Sequence, residues 1–430
     1  LYTMNNANHP SRKRVLLLVS PSSYRTHAFR SAAARLNLEV FEGIDLPEAL
    51  AREWKPRLGI DFSRPEQAVS KVIDFVRENP VDAIISVDDR ATVLAALASA
   101  RLGLPHNSPE AAVASRDKLR MREMLAARGV PVPAFRRFSA AADPVAISHS
   151  IDFPCVVKPT LLSGSRGVIR ADNTEEFAAA FDRTRAIITS NGFVLEQADI
   201  LVERFVPGFE VALEGLLTNG SLQVLALFDK PDPLDGPFFE ETIYVTPSRL
   251  PAEIQRAIAA CTANGAAALG MREGPVHAEL RVNEEGPWMI EMASRSIGGL
   301  CSSVLEFGTG ITLEELILQH AVGGEVGAVE RAHQAAGVMM IPIPGPGLLR
   351  GVDGVEEAAA VPGVTGVEIT AKMNHRLVPL PEGESYLGFI FAQGNSPENV
   401  EAAIREAHRR LHILIAPEIP LLMVPAARRP

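Results

Sequence analysis

Two acidic residues twelve positions apart, Glu279 and Glu291, have the types and the spacing best suited to chemistry in this chain. Both lie in segments that alternate like β-strands, and the Asn-Glu-Glu-Gly stretch at 283–286 is typical of a hairpin turn. Folding there brings the two carboxylates nearly opposite each other on one side of a sheet. Because close anions repel, a divalent cation would stabilise them, and Mg²⁺ prefers carboxylate and phosphate oxygens. Two unrelated surface acids on a solvated hairpin explain the pair equally well.

The side-chain period of two in a strand predicts which neighbours share a face with these acids. The predicted sets are His277, Glu279 and Arg281 on the first strand, and Met289, Glu291 and Ala293 on the second. Neither His277 nor His320 belongs to a cluster with the spacing of metal ligands. We therefore expect both histidines to be structural.

A loop rich in glycine and serine follows an apolar strand that ends in Lys158-Pro. Its small residues would let backbone N–H groups approach an anion, its hydroxyls could donate, and Lys158 and Arg166 flank it. The loop could therefore hold phosphates, although it lacks the ending of a Walker loop. A flexible hairpin turn is the alternative, but a lysine inside an apolar strand needs a partner. The small residues in question are Ser163, Gly164, Ser165 and Gly167.

Glu203 and Glu210 bracket Pro207-Gly208 within an otherwise apolar stretch. A break there would expose strand backbone groups that could hydrogen-bond the edge of a flat heterocycle. A carboxylate seven residues further on could accept hydrogen bonds from ribose hydroxyls. A β-hairpin with surface glutamates accounts for the pattern about as well.

The elements that would position these residues begin with an N-terminal alternation of apolar runs and helical segments. That alternation predicts a doubly wound α/β domain, a parallel sheet covered by helices, which we place at 1–111. Its predicted strands lie at 14–20, 39–42 and 81–87, and its predicted helices at 26–36, 66–78 and 90–102.

Beyond this domain, a helix predicted over 115–128 ends at a Gly-Val-Pro-Val-Pro stretch, because proline cannot continue a helix. Short strands and turns follow, together with a helix at 174–189. The C-terminal region is rich in Gly, Pro and Val, which predicts a β-rich α/β domain that closes with a helix at 396–411. The resulting division is a central region at 112–330, with lobes at 112–200 and 201–330, and a C-terminal domain at 331–430.

The composition of the chain limits the classes of function that it can have. The 430 residues are 47% hydrophobic and 22% charged, as in ordinary globular proteins, and 430 residues suggest two or three domains. A formal charge of -10 argues against general binding to nucleic acid, and no apolar run reaches the length of a membrane span. Three scattered cysteines and a start without signal-peptide regions lead us to expect a cytoplasmic protein.

Taken together, these motifs occur in the order that is typical of ATP-grasp enzymes, which the chain resembles over about residues 15–325. The resemblance rests on Asp117-Lys118, Val-Val-Lys158-Pro with the Gly-Ser loop, Val-Glu203-Arg-Phe-Val-Pro-Gly-Phe-Glu210-Val, and the Glu279/Glu291 pair. It implies an ATP-grasp fold with a two-lobed ATP-binding region.

The resemblance also implies roles for individual residues. Lys118 and Lys158 would contact ATP phosphates, and 163–167 would form a mobile phosphate lid. Glu203 with the backbone of Phe205 and Val206 would bind adenine, Glu210 would bind ribose, and Glu279 and Glu291 would hold Mg²⁺. Two ions are expected, with Mn²⁺ as a substitute.

One departure from many ATP-grasp ligases is Ala293, where they carry Asn two residues after the second metal carboxylate. The following Ser294-Arg295-Ser-Ile-Gly298-Gly299 resembles the L-amino-acid ligase branch, in which such an arginine faces the reacting phosphate. Arg295 would offset charge that grows during phosphoryl transfer, with Ser294 beside it and Gly298 and Gly299 near the substrate. A structural ion pair with Glu291 is the alternative role for Arg295. Stretches at 337–345 and 363–368 also resemble the extra C-terminal domain of that branch.

The proline-rich and acidic stretch at 228–244 predicts a stiff, exposed loop. It resembles the substrate loop of amino-acid ligases, in which a Glu followed three residues later by His meets the amino group of the first substrate. Glu241 matches the Glu, but Tyr244 stands in place of the His. A surface lid without specific contacts is the alternative.

The resemblance implies an ATP-dependent carboxylate–amine ligase that works through an acyl phosphate, with amino acids as first-guess substrates. Two rivals remain: a carboxylase or formate-type ATP-grasp enzyme, and an inactive nucleotide-binding module. No biotin-attachment Met-Lys-Met is present. The expected partners are small molecules, with neither nucleic acid nor membrane, and a homodimer is the default assembly.

Overall fold

The computed structural model of this protein describes residues 12–53 and 58–417. The expectation about a signal peptide concerns residues 1–10, which lie outside the described residues. The N-terminal elements are β1 (Arg14–Val19), α1 (Thr26–Arg35), β2 (Glu39–Ile44), α2 (Glu48–Glu53), β3 (Leu58–Gly59), α3 (Pro65–Glu78), β4 (Ala83–Ser86), α4 (Thr92–Leu102) and α5 (Pro109–Ala114).

The N-terminal sheet is wholly parallel, in the order β3-β2-β1-β4. Strand β1 is an apolar run that is buried on both faces, with Leu17 in one hydrophobic cluster and Leu16 in another. Parallel sheets covered by helices on both sides have this continuous apolar character. The predicted α/β domain is confirmed, with strand and helix bounds close to those expected.

Two larger antiparallel sheets and a small two-stranded one make up the central lobes. The elements are α6 (Lys118–Ala127), β5 (Phe135–Ser139), α7 (Pro144–Ser148), β6 (Cys155–Pro159), β7 (Ile169–Ala171), α8 (Thr174–Ser190), β8 (Asp199–Arg204), β9 (Phe209–Thr218), β10 (Ser221–Lys230), β11 (Ile243–Thr246), α9 (Ala252–Leu269), β12 (Gly274–Asn283), β13 (Gly286–Ala293), β14 (Glu306–Phe307), β15 (Ile311–Thr312) and α10 (Leu313–Ala321). The first lobe has the order β5-β8-β6-β7. The chain crosses to the second lobe at 205–208, where the strand was predicted to break.

The C-terminal elements are β16 (Ala335–Ile341), β17 (Gly347–Asp353), α11 (Val355–Ala359), β18 (Val364–Ile369), β19 (Arg376–Leu377), β20 (Gly388–Gly394), α12 (Pro397–Arg409) and β21 (His412–Ala416). Strands β16, β20 and β18 continue the sheet of the second lobe, giving the order β13-β12-β9-β10-β11-β16-β20-β18. The second lobe and the C-terminal region therefore share one sheet, which the sequence did not indicate. Helix α12, close to the bounds predicted for it, packs Val400 and Ile404 onto this sheet.

The N-terminal capping residues of two helices position segments of the predicted site. Asp117 caps α6 by accepting hydrogen bonds from the backbone N–H groups of Leu119 and Arg120, so the helix begins at Lys118. Asn173 caps α8 in the same way and ends the segment that follows the Gly-Ser loop. In the described ranges, no helix is both long and apolar enough to cross a membrane.

Candidate functional site

Predicted site residues meet at a cavity between the two central lobes. The cavity is about 80 Å³, well below the roughly 300 Å³ at which ligand pockets begin. The predicted residues that line the cavity are Lys118, Lys158, Ser165, Glu203, Phe205, Val206, Glu210, Glu241, Glu279 and Glu291.

One wall is built on a buried ion triplet. The Glu203 carboxylate accepts a hydrogen bond from Arg122 on α6 and is paired with Lys158 at the end of β6. All three side chains are buried. Burial opposes ionisation of Glu203, but the charges of Arg122 and Lys158 outweigh it and lower its pKa. The carboxylate is already paired with two cations, and the backbone of Glu203 lies in the middle strand between β5 and β6.

The Gly-Ser loop presents unpaired donors. Among the described residues, the backbone N–H groups of 163–166 have no hydrogen-bond partner. Gly164, Ser165 and Gly167 adopt left-handed backbone conformations, of the kind found in loops whose successive N–H groups bind anions. Phosphate binding by this loop stays a prediction.

The Gly-Ser loop at 163–167, which we call the lid, is bonded to the C-terminal region. The Gly167 N–H donates to the Pro381 carbonyl at 2.9 Å. The Arg166 guanidinium lies 2.7 Å from the Glu384 carboxylate. Arg183 on α8 donates to both carboxylate oxygens of Glu382, at 2.6 and 2.9 Å. We call residues 379–386 the strap, because they lie across the lid.

In the crossing segment at 205–208, the backbone N–H groups of Val206 and Gly208 have no hydrogen-bond partner among the described residues. The Phe205 N–H donates to the Pro154 carbonyl at 2.9 Å. The Val206 carbonyl accepts from Arg281 at 2.7 Å. At Gly208, with φ +127, a Cβ would lie 2.2 Å from the Val282 carbonyl oxygen, so the close approach requires glycine. The Val206 N–H, on a residue that lines the cavity, is thus available to donate to a ligand.

Charged side chains of β9 and β12 form the floor of the cavity, and Lys230 at the end of β10 is buried against them. Glu210 accepts from Lys230 at 2.9 Å and from Arg281 at 3.1 Å. The Lys230 ammonium is also paired with Glu241 and lies 3.5 Å from Glu279. Burial lowers the pKa of Lys230, but these carboxylates outweigh it and raise the pKa well above its ordinary value.

Sequence reasoning missed two cations of this site, Lys230 and Arg122. Lys230 precedes a proline at the end of a buried strand, as Lys158 does, and that repeated pattern is the signal that could have found it. Arg122 left no such signal, because its partner Glu203 is 81 positions away.

Glu279 and Glu291 are register partners on β12 and β13, as predicted from the hairpin. The register shifts between Glu279 and Leu280, whose partner is Met289, so Ile290 is the extra residue of a β-bulge in β13. The prediction that Met289 shares a face with Glu291 is wrong for this reason. Met289 is fully buried in the core beneath the sheet, whereas Glu291 lines the cavity.

Basic groups surround the two carboxylates. Lys118 lies 3.4 Å from Glu291 and donates to the Leu162 carbonyl at 2.8 Å. His277 contacts Glu279 at 3.1 Å and pairs with the buried Glu214. Burial lowers the pKa of His277, but Glu214 outweighs it and raises the pKa to about 9. His277 is thus held between Glu214 and Glu279. Glu279 and Glu291 are carboxylates, the type of ligand that Mg²⁺ prefers, and their metal role stays a prediction.

Arg295 lies beyond β13, where the N-terminal domain meets the second lobe. Its Nε is 3.7 Å from Asp89, the residue after Asp88 in the turn that follows β4, and its Nη1 donates to the Ser296 carbonyl at 2.9 Å. Within the described ranges its ion-pair partner is Asp89, not Glu291 as the alternative role required. The Ser294 hydroxyl lies 2.9 Å from that of Ser115.

The residues predicted to contact the substrate do not all reach the cavity. Glu241 reaches the cavity, where burial and the neighbouring Glu279 raise its pKa to about 7. The Tyr244 ring is buried beneath the Lys230 ammonium, 5.0 Å from the ring centroid, and does not line the cavity. Gly298 is open, whereas a Cβ on Gly299 would lie 3.1 Å from the ring of Phe389 in the C-terminal region.

Three family models match the chain. They are described as an ATP-grasp N-terminal domain at residues 32–106, an ATP-grasp domain at 151–304 and an L-amino acid ligase C-terminal domain 2 at 339–416.

The chain is also similar to individual proteins. It is 26% identical over 73% of its length to an uncharacterised protein, y4rH, of Sinorhizobium fredii, and 28% identical over 60% to alanine–anticapsin ligase of Bacillus subtilis. It spans 64% and 58% of the length of these curated relatives. The crystal structure of L-amino acid ligase from Bacillus licheniformis superposes with a TM-score of 0.82 at 28% identity, over 94% of this chain and 99% of that one.

Proposed function

We propose that this chain, which belongs to the ATP-grasp superfamily and carries the C-terminal domain of L-amino acid ligases, is an ATP-dependent carboxylate–amine ligase. The observation that carries the proposal is the directly opposed Glu279 and Glu291 facing a loop with unpaired N–H donors, with Arg295 four residues further on. A carboxylate is a poor electrophile, so amide formation from it requires activation.

The proposed reaction has two steps. A substrate carboxylate oxygen attacks the γ-phosphorus of ATP, the bond to ADP breaks, and an acyl phosphate forms. The amine then attacks the acyl carbon, the C–O bond to phosphate breaks, and the amine loses a proton. No covalent bond to the protein is needed, so the protein's tasks are positioning, charge neutralisation and exclusion of water.

The chain's own residues suit these tasks. The N–H groups of 163–166, together with Lys118 and Lys158, would hold the phosphates, and the Val206 N–H and Glu210 would bind the nucleoside. Mg²⁺ held by Glu279 and Glu291 would offset the charge on the phosphate oxygens. The Arg295 guanidinium would stabilise the charge that develops during phosphoryl transfer. Glu241 would receive the amino group of the first substrate.

Amino acids are the proposed substrates, since alanine–anticapsin ligase and L-amino acid ligase are among the proteins similar to this chain. Two Mg²⁺ ions, replaceable by Mn²⁺, and a homodimer complete the proposal. We also propose a cytoplasmic location, where ATP is available.

The experiment is a screen of paired L-amino acids for ATP-dependent phosphate release, with the amide product identified by mass spectrometry. We expect release that requires both members of a pair. Strong ADP formation with bicarbonate or formate alone would instead support the rival class of ATP-grasp enzymes, and absence of ATP binding would support an inactive module.

A further inference from the structure

Lys230 is the last residue of β10 and its side chain is almost fully buried, yet it does not line the cavity. Its ammonium is paired with three carboxylates that do line it: Glu210 at 2.9 Å, Glu279 at 3.5 Å and Glu241. The Tyr244 ring lies on the other side of the ammonium. Lys230 can therefore act on a ligand only through these acids.

The three acids do not depend on Lys230 to the same degree. Glu210 also accepts a hydrogen bond from Arg281, and Glu279 is also bonded to His277. In the part of the chain that the structure describes, Glu241 has Lys230 as its single cationic partner. Without Lys230, Glu241 would be a largely buried carboxylate beside two others, with repulsion and desolvation both opposing that position.

The backbone around Glu241 is fixed by other means. The Thr242 carbonyl accepts from the Met340 N–H at 2.7 Å, and Asp232, near the start of the loop, is bonded to Thr242 and to Arg405. Lys230 is therefore needed for the orientation of one side chain, and the course of the loop has its own support.

We propose that Lys230 is the positioning residue for Glu241, holding one carboxylate oxygen so that the other faces the first substrate. The role assigned to Glu241 rests on the proposed function, but the dependence of Glu241 on Lys230 does not. By holding Glu241, Lys230 keeps this carboxylate next to Glu210 and Glu279 on the floor of the cavity. Nucleotide binding, in contrast, has its own cations in Arg281, Lys118 and Lys158.

The first test is a set of melting temperatures. Lys230→Met should lower Tm, and Glu241→Gln in that background should recover at least half of the loss, because it removes the unpaired charge. The matched doubles Lys230→Met/Glu210→Gln and Lys230→Met/Glu279→Gln should recover less, since those acids keep another cation. Equal recovery in all three doubles would overturn the proposal. Lys372→Met, at an exposed lysine, is the control for loss of charge.

The second test is calorimetric binding of Mg·ADP, which needs no turnover. Lys230→Met should change the dissociation constant by less than about 3-fold, whereas Arg281→Met should raise it about 10-fold or more. A 10-fold loss in Lys230→Met would mean that Lys230 serves the nucleotide and not Glu241. These two tests decide the proposal even if no amide-forming pair is found.

With an active pair in hand, Lys230→Met and Glu241→Gln should each raise KM for the first substrate about 10-fold, with a smaller change in kcat. The double variant should be no worse than either single variant, and Lys230→Arg should restore part of the effect. Additive losses in the double variant would contradict action through Glu241.

Discussion

Glu279 and Glu291 face each other directly across the β12–β13 hairpin, and a β-bulge at Ile290 is what turns Glu291 toward the cavity. Arg122 stabilises that bulge, because its guanidinium donates to the Ile290 carbonyl while it also pairs with Glu203. One buried side chain thus links the strand that carries Glu291 to the wall that carries Glu203.

Glu291→Gln should abolish turnover, with a loss of at least about 100-fold, because one of the two proposed metal carboxylates is lost. ADP production at increasing Mg²⁺ concentration measures the effect, and circular dichroism should show an unchanged fold. The matched control is Glu285→Gln, an exposed acid in the same hairpin, which should retain full activity. Unchanged ADP production in Glu291→Gln would remove Glu291 from the metal site.

Arg122→Met should lower the free energy of unfolding by about 3–5 kcal/mol, because it leaves the buried Glu203 short of one cation and the Ile290 carbonyl without its donor. Urea denaturation measures the change. Arg120→Met, at an exposed position of the same helix, should stay within about 0.5 kcal/mol of wild type. Similar values for the two variants would show that the ion triplet contributes little.

The lid and the strap should be energetically coupled through Arg166 and Glu384. The Glu384 side chain is 56% exposed, so the coupling in a double-mutant cycle should be no more than about 1 kcal/mol and should weaken with salt. Hydrogen exchange of the lid should rise in Glu384→Ala and not in the exposed control Glu356→Ala. If hydrogen exchange of the lid is unchanged in Glu384→Ala, the Arg166–Glu384 ion pair does not couple the lid to the strap.

All three cysteines should be unreactive in the folded protein, since each is buried. Burial raises the pKa of Cys155 to about 12 and that of Cys261 to about 11. These pKa values in the folded protein exceed the ordinary thiol pKa of 9.0. Above pH 9 the thiols therefore ionise in the unfolded chain first, and only there do they lower the stability of the fold. A disulfide-exchange reagent at pH 8 should label no thiol quickly before denaturation and three after it; rapid labelling of folded protein would contradict this burial.

Local patterns in the sequence predicted much of the fold and of the site. The hairpin turn and the strand period predicted the Glu279/Glu291 register, and the ATP-grasp resemblance with its L-amino-acid ligase C-terminal domain is confirmed. The bulge at Ile290 was not predictable, because nothing in the local pattern specifies an extra residue in a strand. Partners distant in sequence were also missed, as with Arg122 and Glu203 or Arg166 and Glu384, since only tertiary packing brings them together.

The central claim is that a substrate carboxylate is activated as an acyl phosphate. With the carboxylate oxygens of the first substrate labelled with ¹⁸O, turnover should transfer one labelled oxygen to each phosphate released, as measured by mass spectrometry. Unlabelled phosphate accompanying amide formation would contradict the account.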